Sequence, residues 1–203
     1  MADQGHDDAG GPLLEAGLLQ DILGSALRTG GEFAEVFVED RRSTSAILDD
    51  GRVEELTSGR DRGAGIRVVV GETTGFAHTA DLTPAGLRSA AEAAAAAARS
   101  GGGGVSEVVL SPGDGPPPAV VEVFPGDVPK ARKVALVQEA DAAARDEGGA
   151  ITQVMVRYGD SQRRIQVANS NGLLVGDRQI RTMFSVSCVA TGDTGMQTGR
   201  ESV

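Results

Sequence analysis

Apolar residues recur with a helical period from Pro12 onward. Leu14, Leu18, Ile22 and Ala26 stand four apart, with Leu19, Leu23 and Leu27 beside them. This broad stripe predicts a helix that opens at Pro12 and ends at Gly30-Gly31. The pattern then turns to strands. Phe33, Ala34, Val36 and Val38 lead into a charged turn, Glu39-Asp40-Arg41-Arg42, and Ser43 to Leu48 follows. Asp50-Gly51 marks a hairpin, because both central residues of a tight hairpin turn need positive φ. Arg52 to Ser58, Ile66 to Val70 and Phe76 to Thr79 come next, separated by Gly-bounded turns at 59–63 and 71–75. The region predicts a meander of about five short strands.

Thr83-Pro84 is a helix start, with Thr as N-cap and Pro at the first position. The predicted helix covers 83–99, and its alanine run, Ala93 to Ala98, offers a flat surface for packing close to a sheet. Asp127-Val128-Pro129 opens another helix, 129–145, whose core candidates are Leu136, Val137, Ala140 and Ala143. A second meander follows. It has Ile151 to Tyr158, a Gly159-Asp160 turn, Arg163 to Ala168, an Asn171-Gly172 hairpin, Leu173 to Val175, a Gly176-Asp177 turn, and Gln179 to Ala190. The expected fold class is α+β: a mostly antiparallel sheet from two meanders, with about three helices packed on it. Helix followed by meander occurs twice, at offsets of about 120 residues, which allows a duplication.

Residues 1–11 read as a disordered polar tail, and 12–190 as one α+β domain. That domain allows sub-units 12–100 and 127–190, joined by a Gly/Pro-rich linker over 101–126. Residues 191–203 read as a loop, with the look of a chain cut inside one.

Composition narrows the function. The 19 basic and 29 acidic residues leave a net charge of -10, which opposes general nucleic-acid or anionic-membrane binding. One cysteine, Cys188, excludes an intrachain disulfide and suits a reducing cytosol. No apolar run approaches the roughly 20 residues of a membrane-spanning helix.

Candidate chemistry is sparse. Of the two histidines, His6 lies in the polar tail and His78 in a patterned strand; the plain reading of His78 is a strand-end loop residue. There is no phosphate-binding Gly-Lys-Ser/Thr motif. The adjacent acids Asp49-Asp50 and Glu54-Glu55 point to opposite strand faces and make poor acid/base partners. Residues 151–190 are locally basic, with five Arg against Asp160 and Asp177. That stretch suits an acidic partner, although a solvated face is the commoner outcome. The residues alone therefore describe a soluble α+β domain without a catalytic constellation.

Three segments carry a resemblance: Ala34-Glu-Val-Phe-Val-Glu-Asp-Arg-Arg-Ser-Thr-Ser, Asp61-Arg-Gly-Ala-Gly-Ile-Arg-Val-Val-Val-Gly, and Ile165-Gln-Val-Ala-Asn-Ser-Asn-Gly-Leu-Leu-Val-Gly-Asp-Arg. Together with Thr74-Gly-Phe-Ala-His-Thr-Ala-Asp-Leu-Thr-Pro, they resemble the N-terminal region of the TldD/PmbA family, also called modulators of DNA gyrase, and favour its TldD branch. The resemblance implies a zinc-dependent peptidase that acts on unfolded or extended peptides as a heterodimer with a TldE/PmbA-like partner. It also implies a metal site on a His-Glu-x-x-x-His helix, a motif missing from these 203 residues. No catalytic or metal residue is therefore assigned, and zinc is implied only for the full-length family protein. The expected role is a non-catalytic N-terminal domain for assembly or substrate binding, in the cytoplasm. Arg67, His78 and Thr79 are the candidate peptide or partner contacts, on sheet edges expected at Arg62 to Val70 and Phe76 to Thr79. The alternative is a stand-alone interaction module that regulates a gyrase- or antitoxin-linked partner. The sequence beyond Val203 discriminates the two.

Overall fold

A computed structural model describes residues 11–98, 108–113, 117 and 120–203. Residues 1–10 of the expected tail over 1–11, Arg99 and the glycine run 101–104 lie outside the described residues. Among those described are three α-helices and seven strands. Helix α1 is Ala16–Leu27, and strands β1 (Phe33–Asp49), β2 (Arg52–Val70) and β3 (Thr73–Thr79) follow it. Next come α2 (Pro84–Ala97), the short β4 (Ser111–Pro112) and α3 (Lys130–Asp146). Strands β5 (Ile151–Asn169), β6 (Leu173–Gly192) and β7 (Gly195–Ser202) complete the chain. The sheet order is β3-β2-β1-β5-β6-β4, and β7 also pairs with β6. Pairing is antiparallel for β2/β3 and β6/β7. The two-residue β4 pairs parallel with β6. The α+β class and the mostly antiparallel sheet are as the sequence predicts.

The strands are fewer and longer than the sequence suggests. The charged stretch Glu39–Arg42 runs straight through β1, and Gly59 and Gly63 lie inside β2. Gly159 lies inside β5 and Gly176 inside β6. The reason is backbone conformation. Strand-joining reversals occur at Gly51 (φ 79), Gly71 (φ 56), Gly172 (φ 92) and Gly195 (φ 100). The other four glycines are not among those with positive φ, so they extend like any residue. Asp50 (φ 47) joins Gly51 in a two-residue turn of the primed kind. At the next large hairpin Asn169 Oδ1 accepts from the N–H groups of Asn171 (3.0 Å) and Leu173 (3.2 Å), and Gly172 takes the left-handed position. The stretch 191–203, expected as a loop, instead carries β7, which pairs with β6 from Gly195↔Gly192 to Ser202↔Ser185.

Helix α1 begins later than Pro12 suggests. Leu14 is held in place instead: its N–H donates to Gln166 Oε1 (2.8 Å) and its carbonyl accepts from Gln166 Nε2 (3.0 Å). That buried amide engages both backbone groups of Leu14, leaving Glu15 as the extended N-cap.

The chain divides into two compact units. The first comprises residues up to 40, 62–117 and 164–177, and the second 41–61, 118–163 and 178–203. The long strands thus contribute to both. In the first unit Leu19, Ile22, Leu23 and Ala26 of α1 and Leu87, Ala91 and Ala94 of α2 join Val36, Val38, Ile66 and Val68 in one core. Each fully buried Val, Leu or Ile among them contributes roughly 1.5–3 kcal/mol. Helix α2 is capped by Thr83, whose Oγ1 accepts from the Gly86 N–H (3.2 Å). In the second unit Val137 of α3 packs on Ala46, Leu48, Val154, Val156 and Tyr158, with Leu136 and Ala140 half-buried against them.

The flat alanine surface of α2 packs on β3, and at Gly75 the two backbones come close. A Cβ on Gly75 would lie 2.0 Å from Ala94 O and 2.5 Å from Ala98 N. Backbone cannot yield as a side chain tip can, so this site admits only glycine. Gly75→Val should cost about 3 kcal/mol of unfolding free energy by overpacking. Gly17→Ala, where an added Cβ meets nothing within 4 Å on a helix, should be neutral or stabilise by up to about 1 kcal/mol. Urea denaturation of both variants checks the pair, and a folded Gly75→Val protein of unchanged midpoint would contradict the contact.

Candidate functional site

Alternation sorts the three sequence candidates. Register places Arg67 opposite Phe76, Gly65 opposite His78, and Ala64 opposite Thr79. Arg67, Phe76 and His78 therefore share one sheet face, while Thr79 belongs to the face that carries Ala64 and Ile66. Thr79 is engaged in the turn before α2, where its Oγ1 accepts from the Asp81 N–H (3.0 Å). Asp81 in turn accepts from the Thr83 N–H (2.9 Å). Backbone and then side-chain hydrogen bonds from Thr83 hold the Asp81 carboxyl below its usual range. Thr79 is thus part of a helix-start turn.

The exposed face holds an aromatic pair. The Phe76 ring covers Gly65, whose added Cβ would lie 3.0 Å from Cζ. It stacks on His78 with ring centroids 6.4 Å apart, and 61% of Phe76 remains exposed. Arg67 is already engaged: it pairs with Glu35 Oε1 at 3.3 Å and lies 5.4 Å over the Phe33 ring. The expected edge at Arg62 to Val70 is corrected by the sheet order. Strand β2 lies between β3 and β1, and antiparallel pairing with β3 covers Ala64 to Val70. Strand β3, with Phe76 to Thr79, is the edge strand of this unit.

The second unit contains a buried polar cluster that sequence reasoning missed. Lys133 Nζ lies 2.6 Å from Asp160 Oδ2, and both side chains are 4% exposed. Tyr158 OH donates to the same Oδ2 (2.8 Å), and Lys133 Nζ donates to Thr44 Oγ1 (3.3 Å). The ammonium also lies 5.8 Å from the Tyr158 ring centroid. Helix α3, β5 and β1 each supply a member. Removing two charges from water costs several kcal/mol per ion, so the arrangement requires these added hydrogen bonds. Burial, then the hydrogen bond to Asp160, then its charge push the Tyr158 hydroxyl well above its ordinary pKa. The available signal was the spacing of Lys133, Val137 and Asp141 on α3, a four-residue series in which charge flanks an apolar residue. All three are buried, and Arg145 Nε closes on Asp141 (3.1 Å).

Neither arrangement fits a metal centre. Among the described residues no three His, Cys, Asp or Glu side chains stand close enough to hold an ion. The Lys133 cluster places a cation where a metal would compete, so it acts as a pin for α3. No described helix is long and apolar enough to cross a membrane.

Lys133→Met should cost about 3–5 kcal/mol, because it strands the buried Asp160 carboxylate; denaturant unfolding reads this. Tyr158 is the only tyrosine in the chain, so phenolate absorbance reports on it alone. A raised folded pKa means that the folded state holds the proton more tightly. Its stability contribution is therefore complete below the unfolded pKa of about 10 and is lost as pH rises above it. Stability should fall with alkaline pH, and Tyr158→Phe should remove that slope. Ionisation of folded Tyr158 at its ordinary pKa would contradict the cluster.

The model of PmbA/TldA metallopeptidase domain 1 matches residues 34–98, and that of the PmbA/TldA metallopeptidase central domain matches 124–203. A metalloprotease of Methanothermobacter thermautotrophicus is 30% identical over 190 residues, covering 90% of this chain and 40% of that protein. A metalloprotease TldD homolog of Haemophilus influenzae is 37% identical over 62 residues, 30% of this chain and 13% of that one. A solved chain from Bacteroides thetaiotaomicron, described as a modulator of DNA gyrase, superposes with a TM-score of 0.71 at 18% identity, over 92% of this chain and 44% of that one. TldE from Thermococcus kodakarensis gives 0.68 at 17% identity, over 91% and 42%. These structural likenesses concern the fold, and the chain spans less than half the length of these relatives. The two domain models, matched in order and together spanning more than half of the sequence, establish that the chain belongs to the PmbA/TldD metallopeptidase family.

Proposed function

We propose that this chain supplies the N-terminal and central, non-catalytic domains of a TldD-like metallopeptidase, and that it holds an extended peptide for cleavage elsewhere. The observation that carries the reading is the pairing of two metallopeptidase-family domains with a donor set that cannot form a metal centre among the described residues. The metal, zinc by family resemblance, then belongs to the part of the relatives that this chain does not span. Strand β3 is an edge, and an extended segment can add to an edge through main-chain hydrogen bonds with little regard for side chains. Phe76 and His78 provide an exposed aromatic surface beside it. A TldE/PmbA-like subunit is the partner this reading implies, because TldE shares the fold. Cytoplasmic residence follows from the same reading.

The test is binding of a labelled, unstructured peptide to the purified chain, with and without chelator, together with a search for cleavage products. Binding should be indifferent to chelator, no product should form, and Phe76→Asp should weaken binding by about fivefold, the scale of one interface anchor. Equal affinity for both proteins would remove the peptide-holding role. Chelator-sensitive cleavage by this chain would overturn the non-catalytic assignment.

A further inference from the structure

The sheet of the second unit has a face that α3 does not cover. Ala46, Leu48, Val154, Val156 and Tyr158 face the core, so the alternate positions of β1 and β5 point the other way. Gly159 and Met183 meet there, since a Cβ on Gly159 would lie 3.8 Å from Met183 Cε. Arg41 in β1 and Arg157 in β5 stand at these alternate positions, and Arg181 lies two residues from Met183 in β6. Arg200 joins them through β7, because it pairs with Ser187, which has the same parity as Met183. All four arginines are exposed, and they form no ion pair among the described residues. Between them the same face carries the small residues Ser45, Gly159, Ser161 and Ser187 together with the larger Ile47, Met155 and Met183. Asp49 and Glu54 lie toward the Asp50-Gly51 hairpin end, and Asp49 accepts from Gln153 (3.0 Å).

We propose that this helix-free face is a docking surface for an acidic polypeptide. The argument is charge complementarity. A chain of net charge -10 gathers four exposed guanidinium groups from four strands onto one face. An acidic partner is repelled by most of the molecule and attracted here, so the field selects one orientation of approach. Guanidinium forks match carboxylate pairs in geometry as well as in charge. Nucleic acid is the weaker occupant. The strand positions of this face carry no aromatic residue for base stacking, and the net charge opposes a phosphate backbone.

The experiment measures binding of labelled poly-L-glutamate to the 203-residue protein at low salt, with poly-L-lysine and a single-stranded DNA oligonucleotide as comparisons. Poly-L-glutamate should bind, with affinity falling as salt rises. The triple variant R157Q/R181Q/R200Q should bind about tenfold more weakly or worse, the sum of three modest exposed pairs. R157K/R181K/R200K should retain most of the affinity, which separates charge from any effect on folding, and circular dichroism confirms the fold of each variant. Failure of the wild-type protein to bind poly-L-glutamate, or equal binding by the Gln variant, overturns the proposal. DNA binding that matches poly-L-glutamate and is lost in the same variant assigns the face to nucleic acid and overturns it equally. None of these outcomes depends on Phe76 or on peptidase activity, so this surface and the proposed function fail separately.

Discussion

The structure rests on where the backbone is allowed to reverse. Strand-joining reversals occur at Gly51, Gly71, Gly172 and Gly195, the glycines in those turns that adopt positive φ. Between these turns the strand backbone stays extended, so β1, β2, β5 and β6 run for 17 to 20 residues each. Long uninterrupted strands impose uninterrupted alternation. One set of side chains turns toward a helix and the other away, in both units. The cores, the edge at β3 and the two helix-free surfaces all follow from that constraint.

Alternation also decides what the few polar residues can do. Strand β5 shows this within four positions. Tyr158 and Asp160 are buried against α3, where water is excluded and charge must be matched, and Lys133 matches it at 2.6 Å. Arg157 points outward and remains solvated. A one-residue slip of register would bury the guanidinium and expose the carboxylate. Such a slip would also break the Lys133–Asp160 pair. In the first unit Gln166 does comparable work without charge, binding both backbone groups of Leu14.

Turn chemistry was legible in the sequence where the turn needs a left-handed residue. Asp50-Gly51 and Asn171-Gly172 were readable as hairpins, and Thr83-Pro84 as a helix start, because each is a local requirement. Strand length was not legible. A glycine that merely permits a turn reads like one that makes it, so Gly59, Gly159 and Gly176 suggested breaks that tertiary pairing overrides. The candidate contacts were partly legible. His78 and Thr79 are adjacent, and strict alternation already puts them on opposite faces; what needed the structure was that Thr79 serves the turn before α2. The Lys133 cluster was hidden for a different reason. Thr44 and Asp160 lie 89 and 27 residues from Lys133, and no local pattern reports such a meeting.

The basic surface shows how composition becomes geometry. The excess of arginine in 151–190 is visible in one dimension, but it includes residues with different fates. Arg178 stacks over Phe124 with its guanidinium carbon 3.9 Å from the ring centroid, whereas Arg157 and Arg181 face solvent. Arg41 and Arg200 come from distant parts of the chain and join the latter pair only through strand register. A local charge count therefore both overstates and understates the patch. The surviving field is set by the parity of each arginine along its strand. Since parity is fixed by the same glycine turns that set strand length, the turns govern the exterior charge pattern as firmly as they govern the core.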